Sequence, residues 1–182
     1  MDRFSEASSG QINVVDIEIA DVCSEQFQSY GQLIIAQDDG VPYSEKDATV
    51  DLSQGIPRVY IMRINRPYSR IINTINRHVK VTQCLASSDE LRSWVIVVAR
   101  PSHLDIDPTM PDISTLKAFR IPGNIAIKLH HGTWHSGPYT TGKTQNFLNI
   151  ELSDTNINDR DECLFDRSFG FSIRLNVHHN VS

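Results

Sequence analysis

The sequence predicts an all-β domain, a barrel or sandwich carrying one or two short helices. Three observations lead there. Short runs rich in β-branched and aromatic residues recur along the chain, many alternating apolar with polar. Clusters of Gly, Pro, Asn and Asp separate them, and only one or two stretches carry helical spacing. Neither an internal repeat nor a heptad pattern is present. At 182 residues the chain is the size of a single domain with a real core. The division read from the sequence is a tail over 1–11, one domain over 12–176 and a short tail over 177–182.

The elements follow in order. INVVDIEI at 12–19 reads as a strand. Residues 21–30 read as a short helix, with Ser24 as its cap, Phe27 and Tyr30 on one face, and Gly31 as its end. Residues 32–36 form a short strand, and DDG at 38–40 is a turn. Residues 41–56 are a long polar loop, and VYIMRI at 59–64 is a strand. After Pro67, residues 70–84 carry a long strand-like pattern, with Ile71, Ile75, Val79 and Val81 on one parity and Asn76, His78 and Lys80 on the other. Such a polar set is ordinarily a solvent face; in a closed barrel it can line the lumen.

WVIVVA at 94–99 is apolar at every position, so it predicts a strand buried on both sides. Residues 101–111 read as a loop, and STLKAFR at 114–120 fits either a helical turn or an extended segment. In 125–130, Ile125, Ile127 and Leu129 face one way, while Ala126, Lys128 and His130 face the other. Gly132 breaks that strand in a tight turn. In 147–152, Leu148, Ile150 and Leu152 form an apolar face opposite Phe147, Asn149 and Glu151. Residues 153–166 are polar and acidic and read as loop, and FGFSIRLNV closes the domain as a last strand.

Composition narrows the function. A net charge of −5 argues against nucleic acid as a partner, since phosphate binding needs a basic patch. The apolar run at 94–99 is far too short to span a bilayer, and the N-terminus lacks the apolar core of a signal peptide. Cys23, Cys84 and Cys163 are odd in number and widely spaced. They form neither a disulfide framework nor a zinc knuckle, and they suit a reducing, cytoplasmic location. There is no phosphate-binding glycine motif, nucleophile elbow or CxxC pair.

The richest chemistry lies in the turn HHGTWHSGP, where His130, His131, Trp134 and His135 fall between two strands. Imidazoles are the usual ligands of nickel, zinc, iron and copper. His130 and His131 are adjacent, so a regular strand sends them to opposite sides. His178 and His179 read as solvated. Lys128 is a candidate anion binder, and Arg63 and Arg66 are candidates to clamp a substrate carboxylate. Solvated side chains, and histidines bonded within a barrel that holds no metal, are the plain alternatives.

A barrel with histidines at a strand-end turn resembles the double-stranded β-helix of cupins. The cupin pattern takes two histidines and a glutamate from one strand pair and a further histidine from another. Asn76 stands where the first histidine would be, His78 fills the second position, Gln83 stands for the glutamate, and His135 fills the last. Amides are weak, uncharged ligands, so a metal held by His78, Gln83 and His135 would be bound less tightly than in a full cupin site.

In FQSYGQLI, MRINRP, RHVKVTQ, VIVVARP, PDISTLKAF, HHGTWHSGP and FLNIEL, in that order, the chain resembles the ureidoglycolate lyase family from about Ile19 to Phe165. The resemblance implies a cupin-like barrel, a homodimer, and cleavage of (S)-ureidoglycolate to glyoxylate and urea in allantoin and purine breakdown. It also implies a divalent metal, nickel being the one usually associated with these enzymes. Within it, His135 or His130 is the expected base, or else a metal held by His78 and His135 acidifies the bound hydroxyl, with Gln83 beside them. Arg63, Lys128 and Trp134 are the expected substrate binders. A non-catalytic carboxylate-binding barrel, or an isomerase or epimerase of a small acid, stays open on the same scaffold.

Overall fold

A computed structural model describes residues 13–65, 71–101 and 109–176. From the N-terminus the chain forms β1 (Asn13–Asp21), the one-turn helix α1 (Ser24–Phe27), β2 (Gly31–Ile34) and, after a long connection, β3 (Pro57–Ile64). Next come β4 (Ile71–Ile72), β5 (Thr74–Arg77), β6 (Cys84–Ser87) and the long pair β7 (Trp94–Pro101) and β8 (Pro111–Ile121). Then follow β9 (Ala126–Leu129), β10 (Trp134–Thr140), β11 (Gln145–Leu152), α2 (Thr155–Asn158), β12 (Asp161–Leu164), α3 (Phe165–Phe169) and β13 (Phe171–Asn176). The fold is all-β and cupin-like, its curled sheets making a half-barrel, with three short helices rather than one or two. Among the described residues no helix is long and apolar enough to cross a membrane.

Two sheets carry the architecture. One has eight strands in the order β12-β5-β10-β7-β8-β1-β13-β4, and the other five in the order β2-β9-β6-β11-β3. β7 lies mid-sheet and divides the core, because successive residues of a strand point to opposite faces. Val95, Val97 and Ala99 pack on one side with Ile75, Trp134, Phe165 and Ile173. Trp94, Ile96 and Val98 pack on the other with Phe27, Leu85, Phe119 and Phe147. The apolar run at 94–99 is therefore buried on both faces, as its composition predicts. The second core fills the space between the two sheets.

Three expectations change, and the alternative left open at 114–120 is decided. The long strand over 70–84 is broken into β4, β5 and β6, with a turn between the last two. The ladder stops after Arg77 because the Asp159 carboxylate takes the backbone N–H groups of Val79 and Lys80. The helix over 21–30 shrinks to four residues, with Cys23 rather than Ser24 at its cap position, because Gly31 already belongs to β2. Residues 114–120 are extended within β8, which pairs with both β7 and β1. The acidic segment is not loop throughout: β12 pairs with β5 from Asp161 to Leu164, and α2 and α3 flank it. Gly132 does sit in a turn at φ +72°, where a side chain would be strained. The predicted tails, and Arg66, Pro67, His178 and His179, lie outside the described residues.

Candidate active site

A cavity of about 130 Å³ sits at the polar end of the second core, reaching Leu85 and Met62 on its apolar side. β3 contributes Tyr60 and Met62, β11 contributes Asn149 and Glu151, and β10 contributes His135 with the Gly137–Pro138 bulge. Asn76, His78 and Gln83 come from β5 and the turn after it; Asn156 and Arg160 come from the acidic segment. The cavity shares Asn76, Gly137, Pro138 and Arg160 with an adjoining cleft of about 980 Å³. A separate groove of about 670 Å³ beside α1 and β2 holds none of the predicted residues.

Two imidazoles face one another here. The rings of His78 and His135 lie 5.2 Å apart at 55°. His78 Nδ1 contacts the Asp159 carbonyl, and His135 Nδ1 lies 3.2 Å from the Thr133 carbonyl. A carbonyl oxygen only accepts, so Nδ1 carries the proton on both rings. In the neutral form each ring is left with an unprotonated Nε2. His135 is held neutral: its pKa is pushed down to about 3, chiefly by burial, then by the charge of His78, with Arg160 adding to the effect against the Thr133 contact.

Glu151 is fully buried, which a carboxylate tolerates only when its oxygens are well bonded. Oε2 accepts from Gln83 Nε2 and Asn149 Nδ2, each at 2.9 Å. Oε1 accepts from Asn156 Nδ2 at 3.1 Å and pairs with Arg58 at 3.6 Å. This carboxylate also fixes which way the Gln83 amide faces. Nε2 must donate to it, so Oε1 is the atom left to accept from a ligand. Asn149 Nδ2 further donates to the Tyr60 hydroxyl at 3.0 Å, and burial raises the Tyr60 pKa. Arg160 stands at the mouth, its Nε donating to Asn76 Oδ1 at 3.0 Å and its terminal nitrogen to Glu162 at 2.9 Å.

His78, Gln83 and His135 are thus brought together, with Asn76 directly opposite His135 in the β5–β10 ladder. The other predicted residues lie elsewhere, and strand parity is the reason. Lys128 belongs to the row Gln32, Lys128, Cys84, Ile150; the cavity side is the next row, Leu33, Ile127, Leu85, Asn149. Arg63 alternates with Tyr60 and Met62, so it leaves β3 on the outer face, 3.4 Å from Asn146 Oδ1, and borders only the larger cleft. Trp134 precedes His135 and points the opposite way, fully buried in the first core. The exposed His130 donates from Nε2 to the Gln28 carbonyl at 3.0 Å, and His131 bridges Val79 O and Asp51.

Sequence reasoning missed Tyr60, Asn149, Glu151, Asn156 and Arg160. Asn149 and Glu151 share the parity opposite the apolar Leu148, Ile150 and Leu152; alternation marks the two faces without saying which is inside, and the curl of the sheet turns theirs to the cavity. Leu148, on the apolar face of that alternation, is exposed. Arg160 had no signal, lying in a segment that reads as acidic loop.

The implied metal can be tested against these donors. Tight divalent sites with a catalytic role use three protein ligands, of which at least some carry charge or are imidazoles. Here two imidazole nitrogens are free beside one uncharged amide oxygen, Gln83 Oε1, the Glu151 oxygens are taken by amides and Arg58, and Asn76 Oδ1 is taken by Arg160. Among the described residues no group of three or more His, Cys, Asp or Glu is placed to hold a metal. The donor set does not fit one.

The sequence profile of the ureidoglycolate lyase family matches residues 14–172. A ureidoglycolate lyase of Saccharomyces cerevisiae is 32% identical over 92 residues, a match spanning 48% of this chain and 44% of that protein. The match therefore covers less than half the length of that relative. With the profile extending over most of the chain and over every strand that lines the cavity, this protein belongs to the ureidoglycolate lyase family.

Proposed function

We propose that the chain cleaves (S)-ureidoglycolate to glyoxylate and urea, a step of purine breakdown through allantoin. The observation that carries this reading is the facing of two imidazoles, each with Nδ1 on a backbone carbonyl, around one small cavity with the Arg160 guanidinium at its mouth. A small hydroxy acid bearing a ureido group offers one anion, one hydroxyl and several N–H donors. The cavity supplies a partner for each.

In this reading Arg160 binds the carboxylate. Gln83 Oε1 accepts from the ureido N–H, oriented by Glu151. His78 Nε2 takes the hydroxyl proton while its Nδ1–H stays on the Asp159 carbonyl. The carbonyl of glyoxylate forms as the C–N bond breaks, and the electron pair leaves on the ureido nitrogen. That nitrogen takes the proton back from the His78 imidazolium, and urea departs. His135, kept neutral by burial and a weak base for that reason, accepts a hydrogen bond from the substrate rather than its proton. No step passes through a metal.

The test is release of both urea and glyoxylate from racemic ureidoglycolate, with half of the racemate consumed. Glyoxylate without urea, or an isomerised acid, would move the reading to another small-carboxylate enzyme. Saturable binding without turnover would make the barrel a binding module. The free thiols of Cys23, Cys84 and Cys163 support a cytoplasmic location. The resemblance supports a homodimer, and the exposed outer row of Val59, Ile61 and Leu148 on β3 and β11 is the surface a second copy would cover. Light scattering of the wild type and of Ile61→Lys checks it.

A further inference from the structure

Asn76 is opposite His135 in the strand ladder and two residues before His78, and all three line one cavity. An imidazole at position 76 would add a third nitrogen to the two that are free. What stands there is an amide, and its oxygen is occupied by Arg160 Nε at 3.0 Å. Arg160 is fixed from its other end by Glu162 at 2.9 Å. The Asn76 amide oxygen and both Glu151 carboxylate oxygens are bound to N–H donors, which leaves the two Nε2 atoms and the weakly ligating Gln83 amide oxygen.

We infer that Arg160, held by Asn76 and Glu162, is the resident cation of this cavity and occupies the role a divalent metal would fill. A guanidinium is permanently charged, binds a carboxylate through two parallel N–H bonds, and needs no deprotonated ligand. The amide at position 76 suits it, because Asn76 Oδ1 accepts from Arg160 where an imidazole Nε2 would compete for an ion. The inference rests on the small-carboxylate reading above for its ligand, but its test does not depend on turnover.

The experiment is calorimetric titration of the metal-stripped full chain with NiCl₂, for the wild type, Asn76→His and His78→Ala, beside glyoxylate release with and without a chelator. The wild type should bind Ni(II) weakly, and Asn76→His should bind it roughly 10- to 100-fold more tightly, the scale on which support to a metal site changes affinity. Glyoxylate release by the wild type should survive chelation. Arg160→Gln should raise KM about tenfold or more, with a smaller change in kcat, and added Ni(II) should not restore it. Stoichiometric, tight Ni(II) binding by the wild type that is lost in His78→Ala would overturn the inference. So would activity abolished by chelation and restored by Ni(II), or equal Ni(II) affinity in the wild type and Asn76→His. If no glyoxylate forms at all, the lyase reading fails while the wild-type titration still decides this one.

Discussion

Asp159 holds His78 from two directions at once. Its backbone carbonyl accepts the imidazole Nδ1–H, while its carboxylate accepts the N–H groups of Val79 at 2.8 Å and Lys80 at 2.9 Å. The chain thereby turns immediately after His78, and the ring is fixed in one tautomer. Asp159→Ala leaves two partly buried backbone donors without partners and should cost about 2 kcal/mol of stability. It should also lower kcat more than it raises KM, because His78 loses its orientation. Urea denaturation and steady-state kinetics on the same preparation check both.

Glu151→Ala removes the acceptor of three amide groups at the floor of the cavity. The expected loss is about 3 kcal/mol, from the unpaired donors and the cavity left behind. Glu151→Gln keeps the volume but lets the Gln83 amide turn over. It should therefore be milder in stability and still raise KM, as Gln83 Oε1 no longer faces the ligand reliably.

His135 makes stability depend on pH in a definite sense. Its folded pKa, about 3, lies below the unfolded value near 6.5. Between those values the unfolded chain binds the extra proton, so stability rises with pH there. The contribution is present above about pH 6.5 and is lost as pH falls toward 3. His135→Gln should flatten this slope, as measured by urea unfolding at pH 4.5 and 7.5. An unchanged slope would assign the dependence to other groups.

Trp134 separates core from site. Trp134→Ala should cost about 3–5 kcal/mol as a large buried side chain is lost. Trp134→Phe should be far milder, since the indole N–H has no hydrogen-bond partner among the described residues. Per folded molecule, Trp134→Phe should keep kcat/KM within about twofold, because the ring points away from the cavity.

The strand content was legible because the period of side-chain alternation is a local property. WVIVVA reads as a doubly buried strand from composition alone, and β7 is one. His78, Gln83 and His135 were legible as a group because their order along the chain matches the cupin pattern, and they do share a cavity. Alternation says which residues share a face, but not which face is the inside. Alternation alone therefore points to Lys128 and Arg63, whose rows face away from the cavity, and not to Asn149 and Glu151, which line it. The break after Arg77 could not be read locally either, since the carboxylate that causes it comes from Asp159, far along the chain.

The sequence by itself determined the all-β class, the burial of β7 on both faces, and the grouping of His78, Gln83 and His135 with an amide, Asn76, in the first position of the cupin pattern. Only the tertiary structure decided that Arg160 comes to that amide and that Glu151 lies inside. The reason is that curling of the sheets, and the return of the acidic segment as β12 against β5, bring together residues whose separation along the chain carries no periodic signal.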